Sequence, residues 1–182
     1  YYTHKKYGDC NMKKLLIGLM IFPCYVLAHQ TTLTEKDFLE AENTSNEFYT
    51  EIKNTGLNDF LKQERMKCEK TQDKYLYCAA PDDMFLQEFA YKEGFLKGLN
   101  SPYEHIQSHA LSLFSPSNRI YHDMKYNDFE KDYIKKFGKI PAEKIQTNNI
   151  EQKENELKES FKFAYLAGRY AQENHFYDYR LR

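Results

Sequence analysis

The sequence predicts an all-α fold, a single-domain helical bundle of five to six helices with one short-loop disulfide. Three observations predict it. No valine follows Val26, only five glycines and four prolines follow residue 28, and strand-like alternation is scarce. Long stretches rich in Glu, Lys, Leu, Phe and Ala carry apolar residues at helical spacing. Two cysteines, Cys68 and Cys78, flank the short segment "CEKTQDKYLYC".

The helices can be justified in order. Thr32-Leu33-Thr34-Glu35 has the spacing of a capping box, and Phe38, Ala41, Ser45, Phe48, Tyr49 and Ile52 follow on one face with a 3.6-residue period. Gly56 stops that helix. A second runs from about Leu57 to Cys68, with Leu57, Phe60, Leu61 and Cys68 inward. Pro81-Asp82-Asp83 starts a third that reaches Leu99. Ser101-Pro102-Tyr103-Glu104 supplies an N-cap serine, a proline at the first helical position and a glutamate two residues on, opening a helix that carries Ile106, Ala110 and Leu113. Asn127 to Phe137 forms a fifth, closed by Gly138. Pro141 opens a further turn, and Asn148 or Asn149 caps a long charged helix running to about Asn174.

Two helices share a peculiarity. "FAYKEGFLKG" begins at Phe89 and "FAYLAGRYAQ" at Phe163, each with a glycine (Gly94, Gly168) inside the helix, where it costs about 1 kcal/mol against alanine. On a helical wheel, Ala90, Gly94 and Gly98 form a small-residue stripe away from Phe85, Phe89, Leu96 and Leu99. Ala164, Gly168 and Ala171 form the corresponding stripe beside Phe163, Leu166 and Tyr170. Small residues let a second backbone approach closely, and dispersion attraction between the two backbones offsets the lost propensity. The two segments are therefore expected to be the central pair of the bundle, touching near Gly94 and Gly168.

Residues 1–11 read as an upstream, non-native extension. Residues 12–28 have the three parts of a secretory signal peptide: Lys13 and Lys14, an apolar run from Leu15 to Leu27, and Val26-Leu27-Ala28 before His29. The run is too short to span a bilayer, which takes about 20 residues. Phe22-Pro23 ahead of Cys24 argues against a lipoprotein signal. The expected mature domain, 29–182, is periplasmic or secreted and carries 22 basic and 26 acidic side chains, a net charge of −4. A weakly acidic, interspersed surface offers no electrostatic reason to bind nucleic acid.

In an exported chain the pair Cys68 and Cys78 is read as a disulfide, since thiolate metal sites want Cys-x2-Cys spacing and a partner pair. His105 and His109 lie one helical turn apart and could hold one metal ion, with His122 or Glu104 as a third ligand. H-E-x-x-H is absent, so a metal-dependent hydrolase or metal-binding protein is the alternative reading. No G-x-S-x-G, free mature cysteine or phosphate-cradling glycine loop occurs, which points away from catalysis and from any cofactor. Glu88 and Glu93, beside Lys92 and Lys97, read as a solvated or salt-bridged edge.

Twelve tyrosines and twelve phenylalanines, with no tryptophan, follow residue 28. The C-terminal "HFYDYRLR" gathers Phe176, Tyr177, Tyr179, Arg180 and Arg182, the tyrosine–arginine composition of protein interfaces. Asn43-Thr44-Ser45 matches an N-glycosylation sequon, but it sits mid-helix behind a bacterial-looking signal. The layout of signal peptide, acidic helical domain and single disulfide resembles, in format alone, envelope inhibitors, immunity proteins and exclusion proteins of bacteria. The expected function is a non-enzymatic protein-binding module with an envelope or extracellular partner; a helical bundle binding a small ligand between its bulky stripes is a further alternative.

Overall fold

In the computed structural model, residues 32–71, 78–113, 124–142 and 144–174 are described; the signal-like segment and the Tyr/Arg-rich terminus lie outside them. Six helices and no strand occur among the described residues: α1 (Glu35–Thr55), α2 (Leu57–Thr71), α3 (Asp82–Leu99), α4 (Glu104–Leu113), α5 (Met124–Phe137) and α6 (Ile150–Glu173). No helix among them is long and apolar enough to cross a membrane.

α1 does open on a capping box, two residues later than the Thr32–Glu35 spacing predicts. Asp37 N donates to Thr34 Oγ1, and Asp37 Oδ2 accepts from Thr34 N at 2.7 Å and Thr34 Oγ1 at 2.6 Å. The later box wins because Asp37 also accepts from Arg169 of α6 at 3.2 Å, a tertiary bond that a box ending at Glu35 would not include. Gly56 terminates the helix at φ +82°, with its N–H on Ile52 O. α2 begins at once and runs three residues past Cys68, which bonds to Cys78 with the Cα atoms 5.7 Å apart. Arg65 reaches the same corner. Its guanidinium donates to the carbonyls of Cys78 and Ala80 and to Asp82, and lies 4.6 Å from the centre of the Phe85 ring. Closing a loop this short should contribute roughly 2–3 kcal/mol, and Arg65 ties the same ends independently. Cys68→Ala with Cys78→Ala is therefore expected to lower the urea-unfolding free energy by about 2 kcal/mol while helical circular dichroism persists.

Three boundaries depart from expectation. α4 starts at Glu104; Ser101 Oγ caps only the N–H of Tyr103, and the first helical acceptor is Tyr103 O. α5 begins at Met124 rather than Asn127. Pro141 opens no helical turn, because buried Gln87 of α3 holds the connection open: its amide donates to Ala142 O and its carbonyl accepts from Ile145 N. Asn149 is the cap of α6, accepting from Gln152 N at 2.9 Å.

Every residue of α6 from Ser160 to Gly168 is buried, so this helix is packed on all sides, against α3, α1 and α5. α3 and α6 are the most extensively packed pair, and they touch backbone to backbone. A Cβ on Gly94 would strike the carbonyl of Phe161; on Gly98, the carbonyl of Tyr165; on Gly168, the carbonyl of Phe95. The contacts ascend both helices together, so the pair is parallel. The glycine lying against Gly168 is Gly98, not Gly94, which faces Phe161 instead. The two FAY segments are thus out of step across the contact. Ala90, Ala164 and Ala171 are all buried as well.

α1 packs antiparallel to α6 along a seam of charge. Asp37 meets Arg169 near one end, Glu42 accepts from Lys158 at 3.0 Å and Lys162 at 3.2 Å, and Lys53 lies 3.0 Å from buried Glu154 at the other. Lys162 is buried, also bonds Glu159, and sits 4.6 Å from the centre of the Phe137 ring. Beneath α5, Phe129, Tyr133, Phe163 and Tyr170 form a ring cluster with centroids 5.0–6.1 Å apart. The Tyr133 hydroxyl is buried there with no hydrogen-bond partner among the described residues, and burial pushes its pKa far up.

Candidate functional site

Between α1, α2, α3 and α6 the bundle leaves a half-open cavity of about 360 Å³. Each helix contributes one phenylalanine to its floor: Phe48, Phe60, Phe89 and Phe161. The inward apolar stripes of α1 and α2 carry the first two, α3 the third, and the all-round burial of α6 the fourth. Their rings brace one another. Phe48 stacks on Phe161 with centroids 4.5 Å apart, and Phe60 stands edge-on to Phe48 at 6.0 Å and to Phe89 at 5.6 Å. Such mutual contact fixes the rings before any ligand arrives.

The rim is charged. Glu47 and Glu51 come from one turn of α1, Glu64 and Lys67 from α2, and Glu93 and Lys97 from α3. Four carboxylates against two ammonium groups give the lining a formal charge of −2. Glu64 is buried, and Lys67 holds it at 2.5 Å from the solvent side; that pairing pushes the Lys67 pKa up, with Glu51 and Glu93 adding to it. Lys97 lies 3.7 Å from Glu47, both of them exposed. Among the described residues the lining contains no hydroxyl, thiol or imidazole.

Compared with family models, curated proteins and solved structures, the chain matches none.

The residues singled out in the sequence fall elsewhere. His105 is exposed at the start of α4, 5.8 Å from the Tyr103 ring. The His109 side chain and the whole of His122 lie outside the described set, and no group of three or more His, Cys, Asp or Glu able to hold a metal occurs among the described residues. Phe176, Tyr177, Tyr179, Arg180 and Arg182 likewise lie outside it. Of the two glutamates noted on α3, Glu93 stands on the pocket rim, whereas Glu88 is half-buried with its pKa raised by burial. A carboxyl raised in the folded state is protonated more readily folded than unfolded, so its burial disfavours folding once the pH rises past the usual carboxylate range. Glu88→Gln should therefore raise the urea midpoint at pH 7 and leave it unchanged near pH 3.

Phe48 and Phe60 read as core positions from their helical spacing, but the pocket they floor does not show in that pattern. The available signal was an acid near an inward phenylalanine on each of three helices: Glu47 by Phe48, Glu64 by Phe60 and Glu93 by Phe89. Acids beside core positions are the ordinary edge of an amphipathic helix, and only packing turns three such edges toward one opening.

Proposed function

We propose that this chain is a non-enzymatic, exported binding protein that holds another envelope or extracellular protein at the pocket between α1, α2, α3 and α6. The observation carrying this reading is a preformed aromatic floor under a charged, half-open mouth on a helical bundle. Concave sites that present fixed polar groups are where proteins hold ligands, and six of the ten residues lining this one are charged. Export is supported by the signal-like segment 12–28 and by the Cys68–Cys78 disulfide, a bond that persists in oxidising compartments. The Tyr/Arg-rich terminus is a second contact surface for the same partner, on composition.

The test uses the mature chain immobilised against an extract of its native envelope, with bound proteins identified by mass spectrometry. Glu51→Lys with Glu93→Lys reverses the rim charge, and circular dichroism verifies that the helices remain. Loss of a specific bound protein supports the pocket. Unchanged capture by the reversed rim overturns it, and removal of residues 175–182 then shows whether the terminus alone does the binding.

A further inference from the structure

Independently of what the pocket holds, we infer that Arg65 is the positioning residue for oxidation of Cys68 and Cys78: it clasps Cys78 against α2 so that the two thiols meet before the bond between them forms. Arg65 and Cys68 lie three residues apart on α2, and so about one turn apart on one face. From that face the guanidinium reaches across to the start of α3. Nη1 donates to the carbonyl of Cys78 itself and to that of Ala80 at 2.9 Å, and Nη2 donates to Asp82 at 2.8 Å. The guanidinium carbon lies 4.6 Å from the centre of the Phe85 ring, and Phe85 belongs to the same buried apolar cluster as Cys68. Asp82 is 70 % exposed, so its ion pair adds little; the two carbonyl bonds carry the clasp. They hold Cys78 by its backbone rather than its sulfur, and therefore do not need the disulfide. A planar fork of donors can span two carbonyls and a carboxylate at once, which a lysine ammonium cannot.

The oxidant is a small-molecule disulfide. Cys68 is buried and Cys78 only partly so, which makes Cys78 the accessible sulfur. As a thiolate it attacks the small disulfide, expels one thiolate and becomes a mixed disulfide. Cys68, also as a thiolate, then attacks Sγ of Cys78 and expels the second. Two protein thiols lose two electrons and two protons, and one disulfide becomes two thiols. The first step needs only access. The second needs the two cysteines brought to a separation a disulfide can bridge, and their Cα atoms stand 5.7 Å apart when it is made. A Cys78 carbonyl already held on the Arg65 face turns the meeting of two chain segments into a reaction within a fixed corner. The coupling is reciprocal: as much as Arg65 favours the bond, the bond favours the Arg65 contacts.

The test equilibrates the full chain, with Cys10→Ser and Cys24→Ser in every sample, in graded mixtures of reduced and oxidised glutathione without denaturant. Free thiols are trapped by alkylation and counted by mass spectrometry, which gives the effective concentration of one thiol for the other. Arg65→Met should lower that concentration about tenfold, a shift of about 30 mV, since a hydrogen bond from a charged donor is worth a factor of that order. Arg65→Lys keeps the charge but loses the fork, and a several-fold fall is expected there too. Asp37→Ala, which weakens the contact of α1 with α6 instead, should leave the value unchanged. An unchanged value in Arg65→Met, or full retention in Arg65→Lys, overturns the inference. A fall in Asp37→Ala as large as that in Arg65→Met also overturns it, because loss of stability anywhere in the bundle would then suffice. Should Arg65→Met fail to fold, the comparison of Arg65→Lys with Asp37→Ala still decides.

Discussion

Gly98→Ala is expected to lower the stability of the protein by about 3 kcal/mol, although alanine is the better helix former. In an exposed helix the change would stabilise by about 1 kcal/mol. At residue 98 the new methyl group would meet the carbonyl of Tyr165 and the backbone nitrogen of Arg169. These are backbone atoms of a buried helix and cannot swing aside as a side-chain tip can. The α3–α6 pair must separate, and the dispersion attraction along the whole seam weakens with distance. Urea denaturation followed by circular dichroism at 222 nm measures the loss. Gly56→Ala is the comparison: nothing lies within 4 Å of its added Cβ, so only the strain of φ +82° is felt, about 1 kcal/mol. If Gly98→Ala raised the unfolding midpoint instead, the parallel backbone contact would be wrong.

Asp37→Ala is expected to cost about 3 kcal/mol, the second largest effect. One buried carboxylate performs two tasks: it completes the capping box of α1 through Thr34 and it receives Arg169 from α6. Loss of a cap contributes about 1 kcal/mol, and taking from partly buried Arg169 the more buried of its two carboxylates, Glu173 remaining at 3.0 Å, adds a larger share. The same group makes the protein acid-labile. Burial alone would push the Asp37 pKa up, but hydrogen bonds from Thr34 and the Arg169 guanidinium bring it below the usual range. Glu42 behaves alike: burial pushes it up, and Lys158 and Lys162 more than reverse that. Both carboxyls therefore take up protons more readily unfolded than folded. The stability they contribute is present above the ordinary carboxylate pKa of about 4 and is lost as the pH falls below it through their folded values. Unfolding free energies at pH 6 and pH 3 should differ less in Asp37→Ala than in the unmodified chain.

Much of this architecture was legible residue by residue. Gly56, Gly138 and Asn149 mark helix ends because positive φ and side-chain capping are local demands. Cys68 and Cys78 announce their bond by count and spacing. The small-residue stripes of α3 and α6 announce a close approach because glycine inside a helix needs a compensating reason. In two places where local patterns misplaced an element, a distant partner had intervened: Arg169 selects the Thr34–Asp37 box over Thr32–Glu35, and Gln87 claims the backbone around Ala142 that Pro141 would otherwise have opened into a turn.

The candidate site was not legible in this way. His105 and the terminal aromatics drew notice as residue types with known uses, whereas the pocket is made of phenylalanines and glutamates that are commonplace singly. Its character comes from convergence, one phenylalanine from each of four helices and acids from three.

By itself the sequence determined which segments are helical, where they stop, which cysteines join and that two glycine-bearing helices meet, since periodicity, caps and steric allowance act over a few residues. Tertiary structure alone decided the parallel sense and register of α3 against α6, with Gly98 rather than Gly94 against Gly168. It alone raised a ring of carboxylates above an aromatic floor. Register and pocket shape depend on how side chains from distant segments fill shared space, and close packing of that kind is a property of the assembled bundle.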